Sequence, residues 1–266
     1  MEKYDVKFKK KFGQNFLKDS AIVKRIVSVS GVDSKSLVIE VGPGGAILTK
    51  ELASHAKQVL AYEIDTDLSV ELENKLQGYD NVDIVFQDFL DSDLILDISN
   101  YSYKNLYFVS NVPYYITTPI LLKLIKSKIP FDNIVMMVQK EVGDRFSTGP
   151  GSREYGSITV LLNYFYEVKK EFFVSRKQFV PVPNVDSVVV SFHERKEKYP
   201  LKDFDFFETI VRDSFQYKRK NIKNNLKKYD LKIVESVLEK FGYDLTVRAE
   251  NLDVEVFVEL SNALWK

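Results

Sequence analysis

The sequence contains no cysteine and only two histidines, His55 and His193. Without cysteine, the chain cannot form disulfides, thiolate zinc sites or a cysteine nucleophile. The two histidines are far apart in the sequence, so neither a histidine metal site nor a histidine-based catalytic triad is expected. We therefore predict chemistry that uses no bound metal.

Long apolar runs and a secretion signal are also missing. The sequence has no uninterrupted apolar run of the roughly 18 residues that suggest a transmembrane helix. The first residues, Met1 to Asp5, contain no signal-peptide core. At 266 residues the chain is long enough for one large domain and a small one. We expect a cytoplasmic monomer that does not bind membranes.

Charge is balanced in total but unevenly distributed. The chain has 38 Lys and Arg and 38 Asp and Glu. Acids outnumber bases between Glu40 and Asp97, whereas bases crowd the N-terminus and a stretch near the C-terminus. A basic face can bind a phosphate backbone at zero net charge, although solvated surface lysines are the alternative. The candidate nucleic-acid contacts are Lys9, Lys10, Lys11, Lys218, Arg219, Lys220 and Lys223.

A glycine turn follows the first buried-type strand. The buried-type strand Leu37 to Val41 precedes Gly42-Pro43-Gly44-Gly45, and a helical pattern follows from Ile47 to Ala56. A strand, glycine turn and helix in this order bring backbone close to a nucleotide-like ligand. Ile47 stands where a dinucleotide fingerprint needs glycine, so a pyrophosphate cradle is disfavoured. An ordinary turn is the alternative.

Polar residues follow three further predicted strands. Glu63 ends the strand Val59 to Glu63, and Asp88 follows the strand Val82 to Phe86. Asn111 follows the apolar run Leu106 to Val109. In open α/β sheets the ligand crevice lies at the carboxyl edge of the strands. We predict that Glu63 accepts hydrogen bonds from ribose hydroxyls and that Asp88 accepts one from an adenine amine.

The stretch Asn111 to Tyr115 combines an amide, a rigid kink and two aromatic rings. Pro113 fixes its own φ and lacks an N–H, so the chain cannot easily continue the hydrogen-bonded ladder of a β-sheet. Carbonyl oxygens are left free for a ligand, and tyrosine rings offer faces for a planar heterocycle. A strand-end turn with half-buried tyrosines is the alternative. We expect Tyr114 to stack and Tyr115 to pack.

Repeated strand and helix signals predict a parallel, doubly wound α/β sheet. A helix capped by Thr117 or Thr118 follows the Asn-Val-Pro-Tyr turn, and 134–139, 157–168 and 187–192 are further predicted strands. Helical patterns cover 205–217, 220–228, 232–241 and 254–264. The charged run 194–200 indicates a linker. We predict domains at 1–195, with a basic arm at 1–12, and at 200–266, the second being small and all-α.

These stretches together resemble the ribosomal RNA adenine N6-dimethyltransferases, most closely the KsgA type that modifies small-subunit RNA. The resemblance covers nearly the whole chain and includes many motifs in the same order. They are 13–17 (GQNFL), 40–44 (EVGPG), 63–65 (EID), 87–89 (QDF), 111–119 (NVPYYITTP), 138–142 (VQKEV), 155–157 (YGS), 179–187 (FVPVPNVDS) and 248–250 (RAE).

The resemblance implies a Rossmann-like class I methyltransferase sheet and the cofactor S-adenosylmethionine. The positions that match the family's cofactor contacts are Asn15, Leu17, Gly42, Gly44, Glu63, Asp88 and Asn111. Arg248 joins the candidate RNA contacts. The family usually has glycine where this chain has Ala46 and arginine where it has Lys218. Ala46 is tolerable if its φ is negative, and Lys218 keeps the charge but loses bidentate contact with phosphate.

The implied activity is dimethylation of two adjacent adenosines at N6 in the 3′-terminal hairpin of small-subunit (16S) ribosomal RNA, coupled to subunit assembly. We hypothesise that the Asn111 side-chain oxygen and the Val112 carbonyl accept the two N6 hydrogens. With Pro113 shaping the turn, Tyr114 and Phe179 would stack on the two faces of the base, although Phe179 could instead be a core aromatic.

Two alternatives remain at this point. One is a large-subunit (23S) RNA adenine methyltransferase that confers antibiotic resistance, and the other is a non-catalytic assembly or transcription factor with the same fold. The continuation Tyr115 to Pro119 and the segment Arg248 to Glu250 favour the small-subunit type.

Overall fold

The computed structural model describes residues 15–266. The predicted basic arm, with Lys9, Lys10 and Lys11, lies outside the described residues. The chain divides into two compact units, and residues 15–143 with 169–193 belong to the first. Residues 144–168 and 194–266 form the second. No described helix is both long and apolar enough to span a membrane.

Within the described residues, seven strands form one sheet in the order β4-β3-β2-β5-β6-β9-β7, and β1 pairs with β8. Pairing is parallel from β4 through β6 and antiparallel between β6 and β9. The parallel α/β prediction is confirmed. The strands are β1 Phe16–Leu17, β2 Ser36–Val41, β3 Gln58–Glu63, β4 Val82–Phe86, β5 Asn105–Asn111, β6 Asn133–Gln139, β7 Tyr166–Val174, β8 Phe179–Val180 and β9 Ser187–Glu194.

Strands β2, β5 and β6 are almost wholly buried, as expected for the centre of a parallel sheet. Helices connect these strands and pack their apolar faces inward. The helices are α1 Ser20–Ser30, α2 Ile47–Ala53, α3 Ser69–Lys75, α4 Leu94–Ser99, α5 Thr117–Ser127, α6 Lys140–Phe146, α7 Ser157–Phe165, α8 Phe204–Ser214, α9 Ile222–Asn225, α10 Leu231–Lys240 and α11 Val254–Leu264.

Helix α1 shows how local sequence places the first layer. Asp19 Oδ1 accepts a hydrogen bond from the Ala21 amide at 2.9 Å and caps the helix. Gly31 ends it in the left-handed region, with φ 81°. Ile26 and Val27 are buried in a cluster that also contains Val38 of β2. The cap, the stop and the buried face of this helix all follow from the sequence pattern.

The second unit contains α7 to α11 and buries a row of aromatic rings. Tyr164 lies 5.2 Å from Phe207, and Phe215 lies 5.7 Å from Phe257, measured between ring centroids. The cap of α8 is Asp203, whose Oδ1 accepts from the Phe206 amide at 2.7 Å. Helix α11 has the predicted bounds. A small helical unit therefore forms around the C-terminal segment.

Three local predictions differ from the structure. Residues 157–165 form helix α7 and not a strand, because a short apolar run that is buried on all sides carries no period that separates helix from strand. Helix α5 begins at Thr117 without any side-chain cap, since Ile116 occupies the cap position. The predicted helix at 220–228 is also shorter, at Ile222–Asn225.

The compact units differ from the predicted domain bounds in one segment. Residues 144–168 group with the C-terminal helices, whereas the change of unit at residues 193 and 194 is close to the predicted linker. Segment 144–168 joins the second unit through bonds such as that from the Gly151 amide to the Glu250 carbonyl, at 2.7 Å. Such long-range pairing leaves no trace in local composition.

Candidate active site

A pocket lies at the carboxyl edge of the parallel strands in the first unit. Its walls come from β1, the turn after β2, the end of β3, the segment after β4 and the turn after β5. The register explains this convergence, because β2 pairs in parallel with both β3 and β5. Of the predicted site residues, Asn15, Leu17, Gly42, Gly44, Glu63, Asp88, Asn111, Pro113 and Tyr114 line it.

The turn after β2 requires glycine at two positions. Gly42 has φ 74° and donates its amide proton to the Tyr62 carbonyl at 2.8 Å. Gly44 has φ 50°, and a Cβ there would lie 2.8 Å from Cε1 of Phe16. Both left-handed conformations favour glycine, and the second also needs the missing side chain. The turn thus brings backbone to the pocket wall.

Ala46 does not have the negative φ under which alanine would be tolerated in this turn without strain. Its φ is 61°, in the left-handed region, where a non-glycine residue is strained by about 1–2 kcal/mol. Ala46 is fully buried and packs with Leu68, Leu72 and Leu76. Burial of its methyl group contributes about 0.8 kcal/mol and offsets part of that strain. The departure from the family pattern is therefore accommodated by packing rather than by backbone conformation.

Glu63 ties the glycine turn to the end of β3. Its Oε2 accepts from the Gly44 amide at 3.3 Å and its Oε1 from the Asp65 amide at 2.9 Å. The side chain is only 4% exposed, and burial raises its pKa. The two amides oppose this rise because they stabilise the carboxylate. This acid is held in one position on the wall of the pocket.

Asp88 begins a short 3-10 turn after β4. Its Oδ1 accepts from the Leu90 amide at 2.9 Å. Lys123 of α5 holds the same turn, because its Nζ donates to the carbonyls of Leu90 and Ser92 at 2.9 and 2.6 Å. The half-buried Asp88 is therefore presented to the pocket by a braced backbone.

Asn111 is the last residue of β5, and Ser110 anchors it. Ser110 Oγ donates to the Val41 carbonyl of β2 at 2.6 Å in a buried hydrogen bond. Pro113 follows with φ −54° and ψ 127°, and its carbonyl accepts from the Ile116 amide at 3.1 Å. The chain leaves the sheet at this point, as the proline predicts.

The two tyrosines of the turn have different surroundings. The half-buried Tyr114 makes a 2.7 Å hydrogen bond between its hydroxyl and Ser187 Oγ of β9. Tyr115 is 54% exposed and lines the same pocket, so the prediction that it packs is wrong. Burial raises the Tyr115 pKa, and the charges of Asp88 and Glu63 add to the rise.

The motifs at 13–17 and 179–187 meet in the short β1-β8 pair. Leu17 pairs with Phe179, and the Lys18 amide donates to the Gln178 carbonyl at 2.9 Å. Phe179 is fully buried in the same core cluster as Leu17 and Val189. This position fits the core-aromatic alternative, and its stacking role stays a prediction that requires the ring to be uncovered.

Glu40 is a pocket residue that carried no assigned role, although it begins the motif at 40–44. It lines the pocket and is 1% exposed. Among residues 15–266, its Oε2 has no hydrogen-bonding partner. Burial raises the pKa of Glu40 to about 8. An acid inside an otherwise apolar strand run was the signal available in the sequence.

The second unit carries the described basic candidates on the loop 218–220, on helix α9 and at Arg248. Lys218, Arg219, Lys220 and Lys223 are all exposed. The buried Asn225 holds the loop, accepting from the Tyr217 amide at 3.1 Å and donating to the Ser214 carbonyl at 2.7 Å. Arg248 is exposed and lies 3.7 Å from Glu250.

Substitution of Gly44 tests the close approach of turn and ring. We expect Gly44→Ala to lower the free energy of unfolding by more than about 2 kcal/mol, because strain adds to displacement of Phe16. Gly78→Ala is the control, since Gly78 has φ 90° and no atom within 4 Å of the place a Cβ would take. Chemical denaturation measures both variants, and equal losses would show that the contact with Phe16 is no constraint.

Known proteins resemble this chain along its whole length. The family model for ribosomal RNA adenine dimethylase matches residues 5–266. The ribosomal RNA small subunit methyltransferase A of Bacillus cereus (strain B4264) is 42% identical over 274 aligned positions, covering 99% of this chain and 94% of that protein. The protein of that name from Bacillus anthracis (strain CDC 684) is 41% identical over the same shares of the two chains.

Solved structures agree on the fold. A dimethyladenosine transferase from Plasmodium falciparum superposes with a TM-score of 0.77 at 27% identity, covering 92% of this chain and 95% of that one. The 23S rRNA methyltransferase ErmE superposes with a TM-score of 0.71 at 28% identity, covering 95% and 100%. The chain belongs to the ribosomal RNA adenine dimethylase family, and it is an S-adenosylmethionine-dependent methyltransferase with a class I methyltransferase fold.

Proposed function

We propose that this chain transfers methyl groups from S-adenosylmethionine to N6 of two adjacent adenosines in the 3′-terminal hairpin of small-subunit (16S) ribosomal RNA. We further propose that it acts as a cytoplasmic monomer on a precursor of the small subunit, and that methylation is coupled to assembly. The observation that carries the proposal is the meeting of Asn111, Glu63 and Asp88 at one pocket.

The choice of the small ribosomal subunit rests on the sequence identities to known relatives. Relatives named for the small subunit are 41–42% identical over nearly the full chain, whereas the 23S rRNA methyltransferase ErmE is 28% identical. The small-subunit assignment is therefore favoured over the antibiotic-resistance alternative. A purely structural assembly factor is disfavoured because the pocket brings together Asn111, Glu63, Asp88 and the glycine turn.

The pocket residues fit S-adenosylmethionine chemically. Glu63 can accept from ribose hydroxyls, and Asp88 retains a carboxylate oxygen beyond the one bound to Leu90 for an adenine amine. The glycine turn brings the backbone of Gly42 and Gly44 to the pocket wall, with the Phe16 ring packed where a Cβ at residue 44 would lie. When bound, this cofactor supplies an electrophilic methyl group on a sulfonium.

Asn111 and Val112 would prepare the target nitrogen. The lone pair of an adenine N6 is delocalised into the ring, so it is a poor nucleophile. Hydrogen bonds from N6 to the Asn111 side-chain oxygen and the Val112 carbonyl would localise that pair and aim it outward. The alkylated nitrogen is strongly acidic and loses its proton to water, so no general base is needed. The monomethyl product must fit the same place for the second transfer.

Tyr114 is the proposed stacking surface. One stacked ring contributes about 1–3 kcal/mol, which offsets part of the few kcal/mol that extruding a base costs. The hydrogen bond to Ser187 Oγ restrains the ring, and Ser187 is itself fully buried. Phe179 is proposed as the second surface, reached only when its ring is uncovered. Because it is a core residue, Phe179→Ala would lose about 3–5 kcal/mol of stability as well as activity.

The exposed loop 218–220, with Lys223, is the proposed phosphate contact of the second unit. Arg248 is proposed as an additional phosphate contact, although its ion pair with Glu250, at 3.7 Å, competes with phosphate for the guanidinium group. Lys228 differs from the loop residues, because its Nζ already pairs with Asp213 at 2.9 Å. Such contacts set affinity and salt dependence, while base identity is read in the pocket.

The overall proposal is tested by primer extension along both ribosomal RNAs from cells with and without the protein. We expect stops at two adjacent adenosines of the small-subunit RNA only when the protein is present. Stops in the large-subunit RNA would support the resistance-type alternative. Calorimetric binding of S-adenosylmethionine without any methylated RNA would support a binding factor.

Asn111→Ala should lower methyl transfer to small-subunit particles by at least about 100-fold, because the hydrogen bonds to N6 act in the transition state. Asn105→Ala at the opposite end of β5 is the matched control and should stay near wild type. Incorporation of labelled methyl groups measures both. A near wild-type rate in Asn111→Ala, with the fold intact, would contradict the role given to this amide.

Ser187→Ala should lower turnover on RNA about 3- to 10-fold without changing cofactor affinity, because Tyr114 loses its restraint. Tyr114→Phe should act similarly, and the double variant should be no worse than either single one. Ser191→Ala is the control, since Ser191 is buried on β9 but bonds to Glu171. Additive losses would show that the two hydroxyls act independently.

Replacing Lys218, Arg219 and Lys220 by Gln should weaken RNA binding and reduce its salt dependence. Each lost phosphate contact should lower the slope of log affinity against log salt by about 0.7. Lys240→Gln, an exposed change on α10, is the control. Fluorescence anisotropy with a ribosomal RNA fragment measures the slope, and an unchanged slope would place the RNA elsewhere.

A further inference from the structure

Among residues 15–266, the side chains that line the pocket include acids but no base. Glu40, Glu63 and Asp88 supply its carboxyl groups, and none of its lining residues is Lys, Arg or His. Two of these acids are engaged by backbone amides, Glu63 with Gly44 and Asp65, and Asp88 with Leu90. Glu40 is the carboxyl group without such a partner within the described residues. A site of this composition selects positive charge in its ligand.

Glu40 is the most deeply placed of the three acids. It is 1% exposed on β2, directly before the glycine turn. Within residues 15–266, neither its Oε2 nor Thr49 Oγ1 of α2 has a partner in hydrogen-bonding geometry. A buried ionised carboxyl without a partner costs several kcal/mol, so the group stays neutral until a positive charge arrives.

The surroundings of Glu40 reinforce the neutral state. Burial raises its pKa to about 8, and the charge of Glu63 from β3 adds to the rise. The nearby Thr49 hydroxyl of α2 opposes the rise, although the two side chains fall short of a full hydrogen bond. Asp88 lines the same pocket from the segment after β4. In the described part of the chain, the charged groups that line the pocket with Glu40 are therefore both acids.

We propose that Glu40 is the charge-selecting residue of the cofactor pocket, and that its carboxyl group gives up a proton when a ligand with a positive amino-acid moiety binds. The inference rests on the proposed cofactor role of this pocket. S-adenosylmethionine carries two cationic groups, an ammonium and a sulfonium, and either supplies the required charge. Glu40 is in this sense a specificity-determining residue rather than a catalytic one.

Proton release from Glu40 makes the affinity for the cofactor depend on pH in one direction. A ligand cation lowers the pKa of Glu40 in the complex, so fewer protons are bound after binding than before. Affinity therefore rises with pH up to about 8, the pKa of the free protein, and levels off above it. Below pH 8, the affinity for the cofactor rises by up to about tenfold per pH unit when one proton is released.

Isothermal titration of the full chain with S-adenosylmethionine, in phosphate and in Tris at pH 7, counts the released protons. We expect about one proton per ligand for the wild type and none for Glu40→Gln, whose affinity should vary less than threefold between pH 6 and 8. Glu73→Gln on the exposed face of α3 is the matched control and should behave as wild type. Thermal unfolding confirms that each variant folds.

Two further experiments identify which cationic group of the ligand causes proton release and test the effect of Thr49 on Glu40. S-adenosylhomocysteine has the ammonium but no sulfonium, so release of the proton by both ligands identifies the ammonium, and release by S-adenosylmethionine alone identifies the sulfonium. Thr49→Val keeps the carboxyl group but removes the opposing hydroxyl, so the pH at which affinity levels off should move upward.

The outcomes separate this inference from the proposed function. Binding of S-adenosylmethionine without proton release in the wild type, or equal release in wild type and Glu40→Gln, would overturn the role of Glu40 and leave the methyltransferase proposal intact. Failure of the wild type to bind the cofactor at all would overturn the cofactor role itself.

Discussion

The pocket depends on the hydrogen bonds that the Glu63 carboxylate accepts. The carboxylate accepts amide protons from Gly44 in the turn after β2 and from Asp65 beyond β3, so one side chain holds two loops. Both loops start from strands whose parallel register brings their carboxyl ends to the same edge. The bond to Gly44 is the longer of the two, at 3.3 Å, against 2.9 Å for the bond to Asp65.

The remaining walls are braced from outside in the same way. Ser110 fixes the start of the Asn111 turn to β2, Lys123 fixes the turn that presents Asp88, and Ser187 fixes the Tyr114 hydroxyl. Each of these three polar side chains bonds to a pocket segment without being one of the residues that line the pocket. Such braces hold pocket groups in position without occupying the ligand's place, and methyl transfer requires this kind of preorganisation.

Local patterns predicted most of the first unit correctly. The strands that become β2 to β6, the cap and stop of α1, and the glycine turn were all visible, because buried strands, caps and turns have short-range signatures. Segment 157–165 was misread because helices and strands that are buried on all sides have the same composition. Tyr115 was misread because two adjacent tyrosines have identical local context, and only the direction of the turn exposes one of them.

The sequence by itself determined the family, the parallel sheet and nine of the residues that line the pocket, since these depend on motifs and on short-range periodicity. Tertiary structure alone decided the left-handed backbone of Ala46, the burial of Phe179, the Ser187 restraint on Tyr114 and the partnerless carboxyl group of Glu40 within the described part of the chain. The physical reason is that desolvation, strain and long-range hydrogen bonds depend on groups that are brought together only when the chain folds.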